Sequence, residues 1–162
     1  MKTVLAVLAM GVFAGGMAAA TDKSDVMAVV HQYTDAFNKG DPKSGLAVCA
    51  DESIIIDDFP PHEWSGTGAC AKWQNDFTAF AQKAQLTEAM IALSKPRHLD
   101  VTADRAYVVI PVSLTYKEQG KAKRETGATW TFALQKLASG WRITGWAWSA
   151  GKEADAETPA GH

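Results

Sequence analysis

The feature that most constrains this chain is a change of period. Up to Ala84 apolar residues recur at helical spacing, whereas from Ala89 onward they alternate or run together in segments separated by turn residues. Val26, Val29, Val30, Tyr33 and Phe37 follow an i, i+3, i+4, i+7 pattern, with Ser24 or Asp22 as a cap and Asn38-Lys39-Gly40 as a stop. Asp41 caps a second short helix with Pro42 in its first position, where a missing N–H costs nothing, and Leu46, Val48 and Cys49 give it an apolar side. Cys70, Trp73, Phe77, Phe80 and Ala84 mark one face of a third helix. Between the second and third helices lies one β-branched strand, Ser53 to Ile56.

Beyond Ala89 the pattern predicts strands at Ala89–Ser94, Arg97–Val101, Arg105–Tyr116, Glu125–Leu137 and Trp141–Ser149, the first two being one bent strand or a pair broken at Pro96. Turns at Thr102–Asp104, Gln119-Gly120 and Ser139-Gly140 join them. Short turns between successive strands imply antiparallel pairing, and helices gathered ahead of them imply an α+β fold with the helices on one face of the sheet. Tyr107 to Leu114 is apolar at nearly every position, so the other face is expected to be covered too, most economically by a second copy of the chain in a homodimer.

Met1 to Ala20 has the form of an export signal, with Lys2 at its start, an apolar Val4–Val12 and small residues Ala18-Ala19-Ala20 for cleavage. The expectation is a mature chain from Thr21, one domain over 21–149, and a periplasmic or secreted protein. No later stretch reaches about 18 uninterrupted apolar residues, so no membrane span is expected. Residues 150–162 are small, charged and Gly/Pro-bearing, which predicts a flexible tail. Eighteen acidic residues face 16 basic ones, one of them Lys2 in the signal, and no basic patch for nucleic acid is present. Cys49 and Cys70 are the only cysteines. They either pair in an oxidising compartment or are buried small residues on two helices.

Chemistry concentrates in DESIIIDDFPPHEWSG, Asp51 to Gly66. Here a buried strand delivers Asp57 and Asp58 to the edge of the core, where a partly dry carboxylate has a raised pKa and can act as a base. The alternative for Asp57 is a strand-end Asp accepting backbone hydrogen bonds in the next turn, and Asp58 fits that description better. His62 is a candidate proton shuttle or simply a solvated loop residue. Tyr33, on the apolar face of the first helix, either packs in the core or offers its hydroxyl to a site. Asp57, Asp58, His62 and Glu63 are metal-ligand types without a second His motif, so no metal site is expected. Of the six tryptophans, Trp64, Trp73, Trp130 and Trp148, with Phe77, are expected to wall a pocket for a flat apolar molecule. In the last strand Trp146 and Trp148 share one face and Trp141, Ile143 and Ala147 the other, unless a bulge near Gly145 changes the alternation.

The order of elements, with Tyr33 through FNKGD to ADESIIID, the WSG at Trp64-Ser65-Gly66 and the terminal AWS, resembles the nuclear transport factor 2-like superfamily, with its ketosteroid isomerases, scytalone dehydratases and SnoaL-like cyclases. The resemblance implies a cone-shaped curved antiparallel sheet wrapping three helices, with a pocket at its open end. It implies that Tyr33 stands where the isomerases have their oxyanion-hole tyrosine, Asp57 where they have their proton-abstracting carboxylate, and Trp148 where they have a pocket aromatic. In those isomerases the carboxylate base works opposite a tyrosine and a protonated acid that share the oxyanion. That second oxyanion acid lies on a middle strand. Arg105 to Leu114 holds no Asp or Glu, and Glu118 and Glu125, near the next turn, are poor substitutes. Two functions follow as expectations. One is an exported pocket domain holding a small hydrophobic molecule or a protein partner; the other is a cofactor-independent isomerase, dehydratase or cyclase using Asp57 as general base.

Overall fold

The computed structural model describes residues 15–156, with side chains from residue 21 onward. Helix α1 spans Gly15–Lys39, α2 Pro42–Leu46 and α3 Ala69–Ala84; the strands are β1 Cys49–Ile56, β2 Glu63–Thr67, β3 Leu86–Leu93, β4 His98–Thr102, β5 Arg105–Glu118, β6 Lys121–Leu137, β7 Gly140–Ser149 and β8 Lys152–Asp155. The expected α+β fold with three helices is the fold adopted. Its sheet runs β2-β1-β7-β6-β5-β3, with β4 on β5 and β8 on β6.

The sheet is mixed, not wholly antiparallel. Turn chemistry predicts pairing only between neighbours in sequence, and it predicts β5-β6-β7 correctly. The β1–β7 pair joins strands far apart in the chain, and it is parallel, matching Ile54 with Gly145 and Ile56 with Ala147. Glu63–Thr67, where the sequence pattern predicts no strand, is a strand hairpinned onto β1, with Ile55 opposite Trp64. Pro96 does separate two strands: β3 lies along the second half of β5 and β4 along the first.

Several boundaries move for physical reasons. Asp22 does not cap α1, which already runs from Gly15; its carboxylate instead accepts from Lys136 Nζ at 2.6 Å and Trp141 Nε1 at 3.4 Å. Asp41 caps α2 as expected, taking the Ser44 N–H at 3.1 Å. Val48 and Cys49 lie beyond that helix, and Cys49, opening β1, is disulfide-bonded to Cys70 on α3. The flexible tail expected from residue 150 is corrected at its start, because Lys152–Asp155 pairs with Lys123–Thr126 of β6 and Lys123 bonds Asp155 at 2.8 Å. Residues 1–14, which hold most of the expected signal, and residues 157–162 of the expected tail lie outside the described residues.

Val26, Val30 and Tyr33 of α1 and Cys70 and Trp73 of α3 pack on the inner sheet face, where Val108, Ile110, Trp130, Phe132 and Ile143 are buried. Asn38, in the last turn of α1, ties it to the sheet by accepting the Ile91 N–H at 2.7 Å and donating to the Ile91 carbonyl at 2.9 Å. A bulge opposite Ala133-Leu134 shifts the alternation of β7, so that Trp141, Ile143 and Trp146 are all buried on the core side. That core leaves one end of the inner face open.

Candidate functional site

A cavity of about 280 Å3 fills the open end. Its walls are Trp73, Phe77 and Phe80 from α3, Asp57–Phe59 from the β1–β2 loop, and Leu114, Tyr116, Glu125, Trp130, Trp146 and Trp148 from the sheet. Asp57 sits where the β-branched run of β1 ends, so the strand's burial delivers its carboxylate to the wall. One carboxylate oxygen accepts the Trp73 indole N–H at 2.8 Å and the other the Asp58 backbone N–H at 2.8 Å. Burial pushes the group up to about 7 even so, the two hydrogen bonds opposing the rise and the nearby Asp58 charge adding to it. The carboxyl is thus half ionised near neutral pH. Asp57 thus accepts a turn hydrogen bond and also faces the cavity.

The other expected residues divide. Trp73, Phe77, Trp130 and Trp148 line the cavity with Asp57. Trp73 is held in place by stacking on Phe77, with centroids 5.3 Å apart and planes 17° apart, and it meets Trp146 edge to face at 4.9 Å. Tyr33 is not in this wall. It is buried behind it, accepts the Trp146 indole N–H at 3.0 Å, and packs against the rings of Trp130, Phe132 and Trp146. Burial raises its phenol above the ordinary value, the Trp146 bond partly offsetting the rise. Tyr33 therefore positions Trp146, which in turn meets Trp73, the donor to Asp57. A second hollow, of about 520 Å3 between the end of α1, α2, the middle of α3 and the start of β3, has Tyr33 in its lining. It holds no buried carboxylate.

His62 is exposed outside the cavity, its ring Nδ1 3.1 Å from the Asp57 carbonyl oxygen, so it shapes the loop that carries Asp57. Trp64 is also outside the cavity lining; it is buried against Phe59 and donates to Asp76 at 2.7 Å. Among the described residues no cluster of three or more His, Cys, Asp or Glu side chains is placed to hold a metal ion, and no helix is long and apolar enough to cross a membrane.

The chain holds a second buried acid that period and spacing conceal. Glu125, expected near a turn, is four residues inside β6; it is buried in the cavity wall, accepts the Gly151 N–H at 2.5 Å and bonds the Trp148 side chain. Burial raises its carboxyl above the usual range, with the Gly151 bond opposing. Strict alternation from Ala128 and Trp130 would turn Glu125 outward. Gly127, at φ +76°, lies in a bulge between the Leu114–Glu125 and Val112–Ala128 pairs, and that bulge turns it in. Tyr116 lines the same wall with its phenol raised, first by burial and then by its bond to Glu153.

A family model described as the SnoaL-like domain matches residues 26–151. Solved structures share the fold at low identity. A nuclear transport factor 2-like superfamily protein from Salmonella enterica is 18% identical with a TM-score of 0.69, over 88% of this chain and 99% of that one. A ketosteroid isomerase-like protein from Erwinia carotovora is 18% identical with a TM-score of 0.63, over 80% and 95%. A putative scytalone dehydratase from Novosphingobium aromaticivorans is 12% identical with a TM-score of 0.68, over 87% and 91%. Among curated proteins, none matches the sequence.

Proposed function

We propose, starting from the fact that the chain belongs to the SnoaL-like domain family, that it is a small-molecule enzyme in which Asp57 is the general base of a cofactor-independent proton abstraction. The observation that carries this is a carboxyl of pKa about 7 in the wall of an aromatic cavity, since a base works best when its pKa lies near the working pH. The ionised carboxylate takes a proton from a carbon next to an electron-withdrawing group and becomes a carboxylic acid. Returning that proton at another carbon isomerises the substrate; loss of a leaving group from the adjacent carbon instead makes the reaction an elimination. Likeness in fold to the ketosteroid isomerase-like protein and the putative dehydratase supports chemistry of this class. Tyr33 and His62 act through others in this scheme, one behind Trp146 and the other under the Asp57 loop.

Export belongs to the same proposal: the signal-like Met1–Ala20 and the Cys49–Cys70 disulfide both suit an oxidising compartment. Carboxyl-carbon NMR titration of the wild type beside Asp57→Asn tests the catalytic part. A resonance with a midpoint near 7 that is missing from Asp57→Asn is expected; a midpoint near 4 would leave the base without its driving force and end the proposal.

A further inference from the structure

We infer that the Asp57 cavity takes an uncharged carbonyl compound of one ring with a short substituent, and that Phe37, paired with Phe77, sets that limit on length; the inference rests on this cavity being the functional site. The cavity of about 280 Å3 and the hollow of about 520 Å3 have five lining residues in common, Phe37, Trp73, Phe77, Leu86 and Ala89. A layer one side chain thick therefore divides them. Phe37 lies one turn on from Tyr33 on the same face of α1, and its ring meets that of Phe77 from α3 with centroids 5.4 Å apart. Both phenylalanines pack against the core yet are only half-buried, as side chains with open space on two sides are. Their neighbours hold them in place. Asn38, next to Phe37, is bonded twice to Ile91, and Phe77 stacks on Trp73, the donor to Asp57. Partition and base thus belong to one packed assembly.

Size and charge together narrow the guest. A cavity of roughly 150 Å3 holds one benzene ring, so about 280 Å3 takes a ring with a short substituent, and four fused rings do not fit. Among the described residues that line the cavity there is no Lys, Arg or His. A carboxylate or phosphate on the guest would be buried beside Asp57 without a counter-charge, which is costly. Proton abstraction at carbon still needs an electron-withdrawing neighbour, and a ketone supplies it without charge. Beyond the partition the hollow also has Ala36 and Ala81 in its lining, so an apolar chain let past Phe37 would find apolar neighbours there.

The 4-alkylcyclohexanones keep one ring and one carbonyl while the chain lengthens away from it, so the series measures depth. Each methylene that becomes buried should tighten binding about fourfold. In calorimetric titration of the wild type that gain should run from the methyl to the propyl compound and stop, the heptyl compound binding no tighter than the propyl. In Phe37→Ala the gain should continue into the second hollow, with the heptyl compound at least about tenfold tighter than the propyl. Phe37→Leu, which keeps an apolar side chain and loses the width of the ring, should move the limit the same way by less, circular dichroism confirming that both variants are folded. A heptyl compound already about tenfold tighter than the propyl in the wild type would overturn the limit on length. A limit unchanged in both variants would overturn the part assigned to Phe37. 4-Oxocyclohexanecarboxylate, which has a carboxylate where the first ketone has its methyl, should bind at least about tenfold more weakly than that ketone, and equal binding would overturn the exclusion of anions. Binding of none of the ketones would overturn the substrate class, while the Asp57 titration would still report separately on the base.

Discussion

At the scale of single residues, Asp57 is held by two opposed effects. Burial disfavours its charge, while hydrogen bonds from Trp73 and the Asp58 backbone favour it, and burial wins. The sign for stability follows. A carboxyl of pKa about 7 in the folded chain and about 3.9 unfolded binds more protons when folded, so its contribution is full below pH 4 and is lost as pH rises toward 7. Asp57→Asn keeps one acceptor oxygen, for Trp73, gives up the one that takes the Asp58 N–H, and removes that loss. Denaturant unfolding should therefore find the variant more stable than wild type at pH 8, by on the order of 2–4 kcal/mol, with the gap closing toward pH 4. A variant less stable at both pH values would make Asp57 a structural turn residue. Trp73→Phe removes one donor to the charged form, so the Asp57 midpoint in an NMR titration should rise further; a fall would mean that this hydrogen bond does not govern it. The sequence exposed Asp57 because a β-branched strand ending in a carboxylate is a local signal. It hid Glu125 because the Gly127 bulge, which sets the inward turn, depends on pairing with β5. It hid the role of Tyr33 for the same kind of reason, since a hydroxyl on an apolar helix face does not reveal that Trp146, 113 residues away, will be its donor.

At the scale of elements, the period-two segments were legible where neighbours in sequence pair, and illegible where β1 meets β7. That pair rests on close backbone approach. A Cβ placed on Gly145 would lie 2.8 Å from the Ile54 carbonyl oxygen, and Gly145 does not have a positive φ that would otherwise explain a glycine there. Gly145→Ala should therefore part the strand that carries Asp57 from β7, at a cost of about 1–3 kcal/mol, the usual range for overpacking. Thermal unfolding checks this, and an unchanged midpoint would show that the strands separate freely. The other restraint on β1 is covalent. Cys49–Cys70 closes a loop of 21 residues between β1 and α3, so replacing both by Ser should cost about 3 kcal/mol on a chain-entropy estimate. Two titratable thiols in denatured, unreduced protein would show that the bond does not form. Here too spacing was silent, since pairing depends on Cys49 opening a strand next to α3, where the sequence suggested a second helix. β8 was illegible because Lys152–Asp155 is entirely exposed and is held by ladder bonds and Lys123, without an apolar pattern to announce it.

At the scale of the whole molecule, the sheet has one face filled by helices and another that is not. On that outer face the registers align Ile56, Ala147, Thr131 and Val109 in a row across four strands, beside Ile54 at 52% exposure and Tyr107 at 47%. Isolated exposed apolar residues need no account, but a contiguous row lacking charge across a central sheet is a surface that water covers at a cost. We propose that a second copy covers it, because a two-fold arrangement matches the row to itself without requiring any other chain. A stable pair of this kind buries on the order of 1,200–2,000 Å2 in total, which a face four strands wide can supply. Light scattering should therefore give twice the chain mass, and Ile54→Lys with Ile56→Lys should give the single mass, because two desolvated ammonium groups would face their own copies across the axis. The cavity lies on the opposite side of the sheet, so the same double variant should keep the Asp57 midpoint near 7. A monomer at every concentration in wild type would leave the row uncovered and end the proposal of a dimer. If the variant instead became monomeric and its Asp57 midpoint fell toward 4, the outer face would be setting the curvature that keeps Asp57 dry, and the base would depend on the dimer.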